Sequence, residues 1–145
     1  MPDSLLLEFQ CSQHQIPNFL PQIISYLNYK QQVLCLIGDL GSGKTTFTQL
    51  LLKNLNVDSP VSSPTFNLVN EYKSKEGLSI AHFDLYRIEN IEELNEIGFY
   101  EYIENHHLTI IEWPEKIINS LNKQDLILKI EHENQIRKYK LFVVN

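Results

Sequence analysis

The chain has 145 residues, of which 43% are hydrophobic, and it carries a formal charge of −6 at pH 7. This length suits one globular domain over residues 1–145 with a sizeable buried core. The acidic balance argues against non-specific nucleic-acid binding, which needs a basic surface, and no apolar run approaches the roughly 18 residues of a membrane span.

The first half of the chain alternates strand-like and helix-like segments. Its pattern predicts a strand at 5–10, a helical stretch at 12–28, a buried strand at 33–37 and a helix at 44–55. Two prolines inside 12–28 should break or delay that helix. The strand at 33–37 reads VLCLI, a continuous apolar run of the kind that a sheet buries on both faces.

The second half continues the alternation and ends in a hairpin. Strands that alternate with helices around a central apolar strand indicate an α/β sheet with helices on both faces. We expect the antiparallel hairpin to extend one edge, which would make the sheet mixed. The predicted elements are strands at 65–72, 79–86 and 108–113, short helices at 91–98 and 114–121, and hairpin strands at 126–133 and 136–144.

The segment GDLGSGKTTF at 38–47 matches the phosphate-loop pattern G-x-x-x-x-G-K-[ST]. Its glycines let backbone N–H groups turn inward around a phosphate, while Lys44 offsets charge on the β/γ oxygens and Thr45 offers its hydroxyl to Mg²⁺. The helix that follows points its positive end at the anion. The pattern predicts a site for Mg²⁺ and a nucleoside triphosphate, with contacts from Asp39, Leu40, Gly41, Ser42, Gly43, Lys44, Thr45 and Thr46.

A protein with such a loop also needs a carboxylate at the end of a neighbouring strand to hold hydrated Mg²⁺. Two apolar strands qualify, because IAHFD ends at Asp84 and LTIIE ends at Glu112. Spacing alone does not rank them. The polar cluster at 62–65 lies where many such proteins place a segment that senses the γ-phosphate, although a plain turn is the alternative.

The choice of base is less directly encoded. Residues 122–125 read NKQD and match the guanine-reading motif N-K-x-D, but they follow a helical segment instead of a buried strand. We therefore predict adenine, with guanine as the alternative to test. Trp113, the single tryptophan, either packs against the sheet edge or covers the nucleotide.

Charged and metal-ligating residues add three expectations. Between Asp84 and Glu104 there are seven acidic residues against one cation, Arg87, which indicates either a solvated helix face or a docking surface for a basic partner. The five histidines lack the spacing of metal ligands. Cys11 and Cys35 lack it too, so a reduced, cytoplasmic setting is expected.

Four ordered motifs together resemble the TsaE family of bacterial P-loop proteins. They are GDLGSGKTTF (38–47), SSPTFNLV (62–69), HFDLYR (82–87) and IEWPE (111–115), and they run through almost the whole chain. The family is needed for threonylcarbamoyladenosine formation at position 37 of tRNAs that read codons starting with A. The resemblance implies a P-loop NTPase-like mixed sheet, with parallel strands in the middle and antiparallel strands at the sides.

The same resemblance implies an activity and partners. It implies Mg-ATP binding, slow ATP hydrolysis and action in a complex with TsaD and TsaB. Those partners carry out the transfer of the threonylcarbamoyl group, and tRNA is reached only through the complex. By this resemblance Thr45 and Glu112 hold the metal, and Asp84 orients or deprotonates the attacking water. It also assigns nucleotide contacts to Lys44, Ser63, Thr65, Trp113 and Arg137.

Two other functions are compatible with the loop. A small-molecule kinase usually supplies arginines from a lid, and this chain has only Arg87 and Arg137. An ATP-binding interaction subunit without useful turnover would share every motif but would give Asp84 no chemical role. The first helix also lacks the threonine that the family usually places near the base, so the base contacts stay unassigned.

Overall fold

The computed structural model describes residues 3–64 and 68–145, and its strands form one mixed sheet in the order β1-β7-β6-β2-β5-β4-β3. The strands are β1 (Ser4–Ser12), β2 (Gln32–Ile37), β3 (Val69–Lys73), β4 (Ser79–Asp84), β5 (Leu108–Glu112), β6 (Leu126–Glu133) and β7 (Ile136–Val143). The helices are α1 (Leu20–Ile24), α2 (Lys44–Asn54), α3 (Ile91–Glu96) and α4 (Phe99–Asn105). The predicted nucleotide contact Thr65 lies outside the described residues.

The centre of the sheet is parallel and its flanks are antiparallel. Strand β2 pairs in parallel with β5 and β6, and β5 pairs in parallel with β4. Strand β1 pairs antiparallel with β7, β7 with β6, and β3 with β4. The predicted fold class is confirmed, and the hairpin extends one side of the parallel strands as expected, with β6 joined to β2 and β1 paired to the outer side of β7.

Helices cover both faces of the sheet. On one face α1 and α2 bury Leu20, Phe47 and Leu51 completely, and on the other α3 and α4 bury Leu94 and Phe99. Full burial of side chains of this size contributes about 1.5–3 kcal/mol each to folding. The buried strand β2 contributes side chains to both cores, which explains its unbroken apolar run.

The helical segments differ most from the predicted ones. The stretch 12–28 divides into a 3₁₀ turn at Gln13–Asn18, which contains Pro17, and the short helix α1, which has Pro21 near its start. Each proline removes one N–H donor from the helical ladder.

In the part of the chain that the structure describes, no helix combines the length and apolar character that crossing a membrane requires.

The second half contains one helix that was not predicted and lacks one that was. Gly98 has a positive φ of 73° just past the end of α3, and α4 begins directly after it, so two residues, Ile97 and Gly98, separate the helices. The predicted helix at 114–121 is wrong. Only Ile118–Ser120 forms a 3₁₀ turn there, and Ile117 just before it is buried in the core on that face of the sheet.

The NKQD segment forms a turn that anchors the start of β2. The Asp125 side chain is 4% exposed, and its two carboxylate oxygens accept hydrogen bonds from the backbone N–H groups of Val33 and Asn122, each at 2.8 Å. Val33 lies at the amino end of β2, whereas the phosphate loop follows the carboxyl end. Asp125 therefore serves the fold at the far edge of the sheet and is not placed to read a base in that loop.

Replacing Asp125 with alanine should lower the free energy of unfolding by about 2–3 kcal/mol, because the buried N–H of Val33 loses its acceptor. Equilibrium urea unfolding measures the difference. Lys123→Ala is the matched control, since this exposed residue of the same turn should change stability by less than about 0.5 kcal/mol. Equal losses in the two variants would contradict this account.

Candidate functional site

The loop between β2 and α2 has a backbone that only glycine accommodates at two points. Gly43 has a φ of +102°, and a Cβ atom there would lie 3.0 Å from Nε of Arg137. At Gly38, a Cβ atom would lie 2.8 Å from the backbone oxygen of Ile130 in β6. The glycine spacing read from the sequence is therefore required by positive φ and by close packing against the antiparallel flank.

Lys44 folds back over this loop instead of extending into solvent. The residue is 6% exposed, its ammonium donates to the backbone oxygen of Gly38, and Nζ lies 3.5 Å from the centroid of the Trp113 ring. Burial lowers the pKa of Lys44, while the charges of Glu112 and Asp84 oppose that shift. The loop thus holds a partly desolvated cation, an arrangement that favours an anionic ligand.

Arg137 reaches the loop from the opposite side. Its Nε donates to the backbone oxygen of Ser42 at 2.7 Å, and Nη2 lies 3.4 Å from that of Gly41. A guanidinium presents donors in a fixed fork, so these contacts link strand β7 to the loop. Sequence reasoning placed Arg137 among the nucleotide contacts, and the structure adds that it braces the loop backbone.

The two candidate acids lie side by side. In the parallel register Asp84 at the end of β4 pairs with Glu112 at the end of β5, and Glu112 pairs with Leu36 of β2. The Asp84 side chain accepts a hydrogen bond from the backbone N–H of Tyr86 at 3.0 Å. Burial is the main reason that the pKa of Asp84 is raised, and the nearby Glu112 charge acts in the same direction.

His82 is a site residue that sequence reasoning missed. Its Nε2 lies 2.6 Å from Oε2 of Glu112, and both residues are buried, with 0% and 2% exposed. A signal was present, because His82 precedes Asp84 by two residues and side chains two apart on a strand share a face. A polar residue that shares a face with Asp84 on an otherwise apolar strand indicates that it lies beside the acidic site.

Trp113 covers the loop, and a second aromatic ring supports it. The Trp113 ring contacts the Lys44 ammonium and lies 4.8 Å, centroid to centroid, from the ring of Tyr86. Its φ of +57° is uncommon for a bulky residue and turns the chain sharply at the end of β5. The structure thus places Trp113 over the loop lysine, and its covering of a nucleotide stays a prediction.

These side chains surround a cleft of about 300 Å³. Thr45 Oγ1 donates to Ser63 Oγ at 3.3 Å across one wall, and Gln13, which was not predicted, lines another. Among the predicted residues that the structure describes, Ser42 is the exception, because its side chain is buried beneath Gly38 and does not line the cleft. The predicted residues that line it are Asp39, Leu40, Gly41, Gly43, Lys44, Thr45, Thr46, Ser63, Asp84, Glu112, Trp113 and Arg137.

Comparisons with known proteins identify the family. The family model described as "Threonylcarbamoyl adenosine biosynthesis protein TsaE" matches residues 11–140. A TsaE protein of Haemophilus influenzae is 38% identical over 112 residues, which cover 77% of this chain and 70% of the relative. A TsaE protein of Aquifex aeolicus is 39% identical over 127 residues, which cover 85% of this chain and 86% of the relative. Both relatives are described as tRNA threonylcarbamoyladenosine biosynthesis proteins.

A solved structure supports the fold. The crystal structure of Bacillus subtilis YdiB superposes with a TM-score of 0.71 and covers 100% of this chain and 89% of its own. Sequence identity across that superposition is 23%, so this likeness bears on the fold alone.

Proposed function

The chain belongs to the TsaE family of threonylcarbamoyladenosine biosynthesis proteins, and from that membership we propose an Mg-ATP-binding subunit that hydrolyses ATP slowly. One observation carries the proposal. A glycine loop, a buried lysine and two carboxylates from separate strands converge on one cleft at the carboxyl edge of the parallel strands. Ligands of open α/β sheets bind at this edge.

The loop fits a chain of phosphates. The Lys44 ammonium is bound by a neutral carbonyl and the face of an indole, which stabilise a cation less than anionic oxygens do. Gly43 adopts a backbone angle that brings the start of α2 to the cleft, where the helix dipole favours negative charge. These features support phosphate binding by residues 38–45.

The donor set fits magnesium. Thr45 and Glu112 line the same cleft and offer a hydroxyl and a carboxylate, which are the oxygen ligands that this hard cation prefers. Within 3–64 and 68–145, no group of three or more His, Cys, Asp or Glu side chains could hold a metal ion. That is consistent with Mg²⁺, which is usually held by one or two protein groups together with substrate phosphates and water.

Each residue then has a distinct task in hydrolysis. Lys44 offsets phosphate charge, Arg137 keeps the loop in shape, and bound Mg²⁺ would supply further charge neutralisation. Asp84 holds the attacking water and accepts its proton. Burial raises the pKa of Asp84, which makes the ionised carboxylate a better proton acceptor.

Adenine is the proposed base. In GTPases the Asp of N-K-x-D accepts hydrogen bonds from guanine, but here both oxygens of Asp125 are engaged by backbone N–H groups at the other edge of the sheet. That engagement removes the one motif in the chain that favours GTP.

The proposed partners are TsaD and TsaB, with tRNA reached only through the complex in the cytoplasm. Residues 84–104 include several exposed glutamates and three exposed apolar side chains, Tyr86, Ile91 and Tyr100. A mixed acidic and apolar surface suits a basic protein partner, whereas the net charge of −6 disfavours direct contact with tRNA.

The kinase alternative is less well supported. Arg137 is committed to backbone oxygens of the loop, and Arg87 is exposed beyond the end of β4. Neither arginine extends from a lid over the cleft. A subunit that binds ATP without useful turnover differs from our proposal only in the role of Asp84.

Lys44→Ala should lower the affinity for ATP about 100-fold or more, because the charge that offsets the phosphates is removed. Calorimetry with Mg-ATP measures this, and Trp113 fluorescence should change on nucleotide addition to the parent protein. Lys129→Ala is the control, since that ammonium lies over Phe142 and not in the cleft. Unchanged affinity in Lys44→Ala, or preference for GTP over ATP, would contradict the proposal.

Substitution of the two acids should give different phenotypes. Glu112→Ala should weaken Mg²⁺-dependent nucleotide binding, because a metal ligand is lost. Asp84→Ala should leave binding intact and lower ATP turnover about 100-fold, the contribution expected of a general base. Calorimetry and phosphate release measure the two effects. Exchanged phenotypes would reverse the two assignments. Undiminished turnover in Asp84→Ala would mean that Asp84 has no chemical role, as expected of a subunit that binds ATP without useful turnover.

The tagged chain should capture TsaD and TsaB from cell extract in an ATP-dependent manner, as identified by mass spectrometry. Reversing two exposed charges on α3, Glu92→Lys with Glu96→Lys, should abolish capture if this surface docks the basic partner. The matched control reverses Glu131 and Glu133 on β6, which changes net charge equally on a different surface. Capture of neither protein, with phosphorylation of a metabolite, would favour the kinase.

A further inference from the structure

We propose that His82 is a positioning residue that holds the Glu112 carboxylate in the orientation needed at the metal site. The inference rests on the proposed function, because Glu112 is assigned to the metal there. The contact that carries it is the 2.6 Å approach of His82 Nε2 to Glu112 Oε2, between two side chains that are 0% and 3% exposed.

The direction of this hydrogen bond follows from the chemistry of the pair. An ionised carboxylate only accepts hydrogen bonds, so the hydrogen lies on Nε2 of His82. Glu112 also lines the cleft. The carboxylate therefore bridges a buried imidazole on one side and the cleft on the other, which restricts the rotation of its terminal torsion.

The other ring nitrogen indicates that this pair is not optimised for stability alone. Nδ1 of His82 is buried and has no hydrogen-bond partner among the residues that the structure describes. An unsatisfied buried polar atom reduces stability, and such atoms in native proteins call for an explanation. Orientation of Glu112 supplies one, since hydrogen bonds to ligating side chains typically tune metal affinity.

The sheet makes the pair rigid. His82 is in register with Ile110 on β5, and Glu112 lies two residues further along the same strand and face. Asp84 stands on β4 two residues beyond His82, so β4 supplies both the residue that orients Glu112 and the acid beside it. Side chains on neighbouring hydrogen-bonded strands hold their mutual geometry more closely than side chains on loops do.

Two amide substitutions test the proposal. His82→Gln places an N–H donor near the position of Nε2, whereas His82→Asn carries the same group but stops short of Glu112. We expect His82→Asn to weaken ADP binding in the presence of Mg²⁺ about 10-fold, with binding in EDTA unchanged, and His82→Gln to restore most of the loss. Calorimetry with ADP avoids turnover, and circular dichroism follows folding.

A double-mutant cycle separates positioning from general stability. In a Glu112→Gln background, His82→Asn should cause no further loss of Mg²⁺-dependent affinity, because there is no carboxylate left to orient. Should His82→Asn fold poorly, His82→Leu in the same cycle gives the same expected result. The proposal would be overturned if His82→Asn weakened ADP binding equally with and without Mg²⁺, or left the affinity unchanged. It would also be overturned if His82→Asn caused its full loss of affinity in the Glu112→Gln background. If the parent protein binds ADP equally well with and without Mg²⁺, the proposed function fails together with it.

Discussion

The parallel register of β2, β5 and β4 is the constraint on which the site depends. It aligns Leu36, Glu112 and Asp84 across the same edge of the sheet, although long stretches of chain separate them. Because parallel strands all point their carboxyl ends the same way, the loop after β2 opens beside both acids. A slip of one residue in β4 or β5 would turn its acid to the opposite face and remove it from the cleft.

Partial desolvation gives the polar groups at this edge their character. Burial lowers the pKa of Lys44 and raises that of Asp84, so each group is shifted towards its neutral form, while their opposite charges partly offset that tendency. Trp113 contributes by covering the lysine, and His82 contributes by holding Glu112. The site therefore combines one buried cation with two carboxylates that attract it and repel each other.

The antiparallel flank has a function beyond completing the sheet. Strand β6 places the Ile130 carbonyl against Gly38, and β7 sends Arg137 to two carbonyls of the loop. The hairpin and its place beside the parallel strands were predicted correctly, but the pairing of β1 with its outer side was not predicted. Turn chemistry predicts that two strands pair with each other, whereas the neighbour that they join depends on which core they complete.

Local spacing and periodicity were enough to predict the loop, its lysine and threonine, most strands, and the two acids as candidates. Short helices were harder, since Pro17 and Gly98 mark interruptions locally, whereas no local signal marks the absence of the helix predicted at 114–121. Three contacts could be seen only in the folded chain: His82 with Glu112, Asp125 with the start of β2, and Trp113 with Lys44. Each of these contacts joins residues far apart in the chain, so strand register and packing create them.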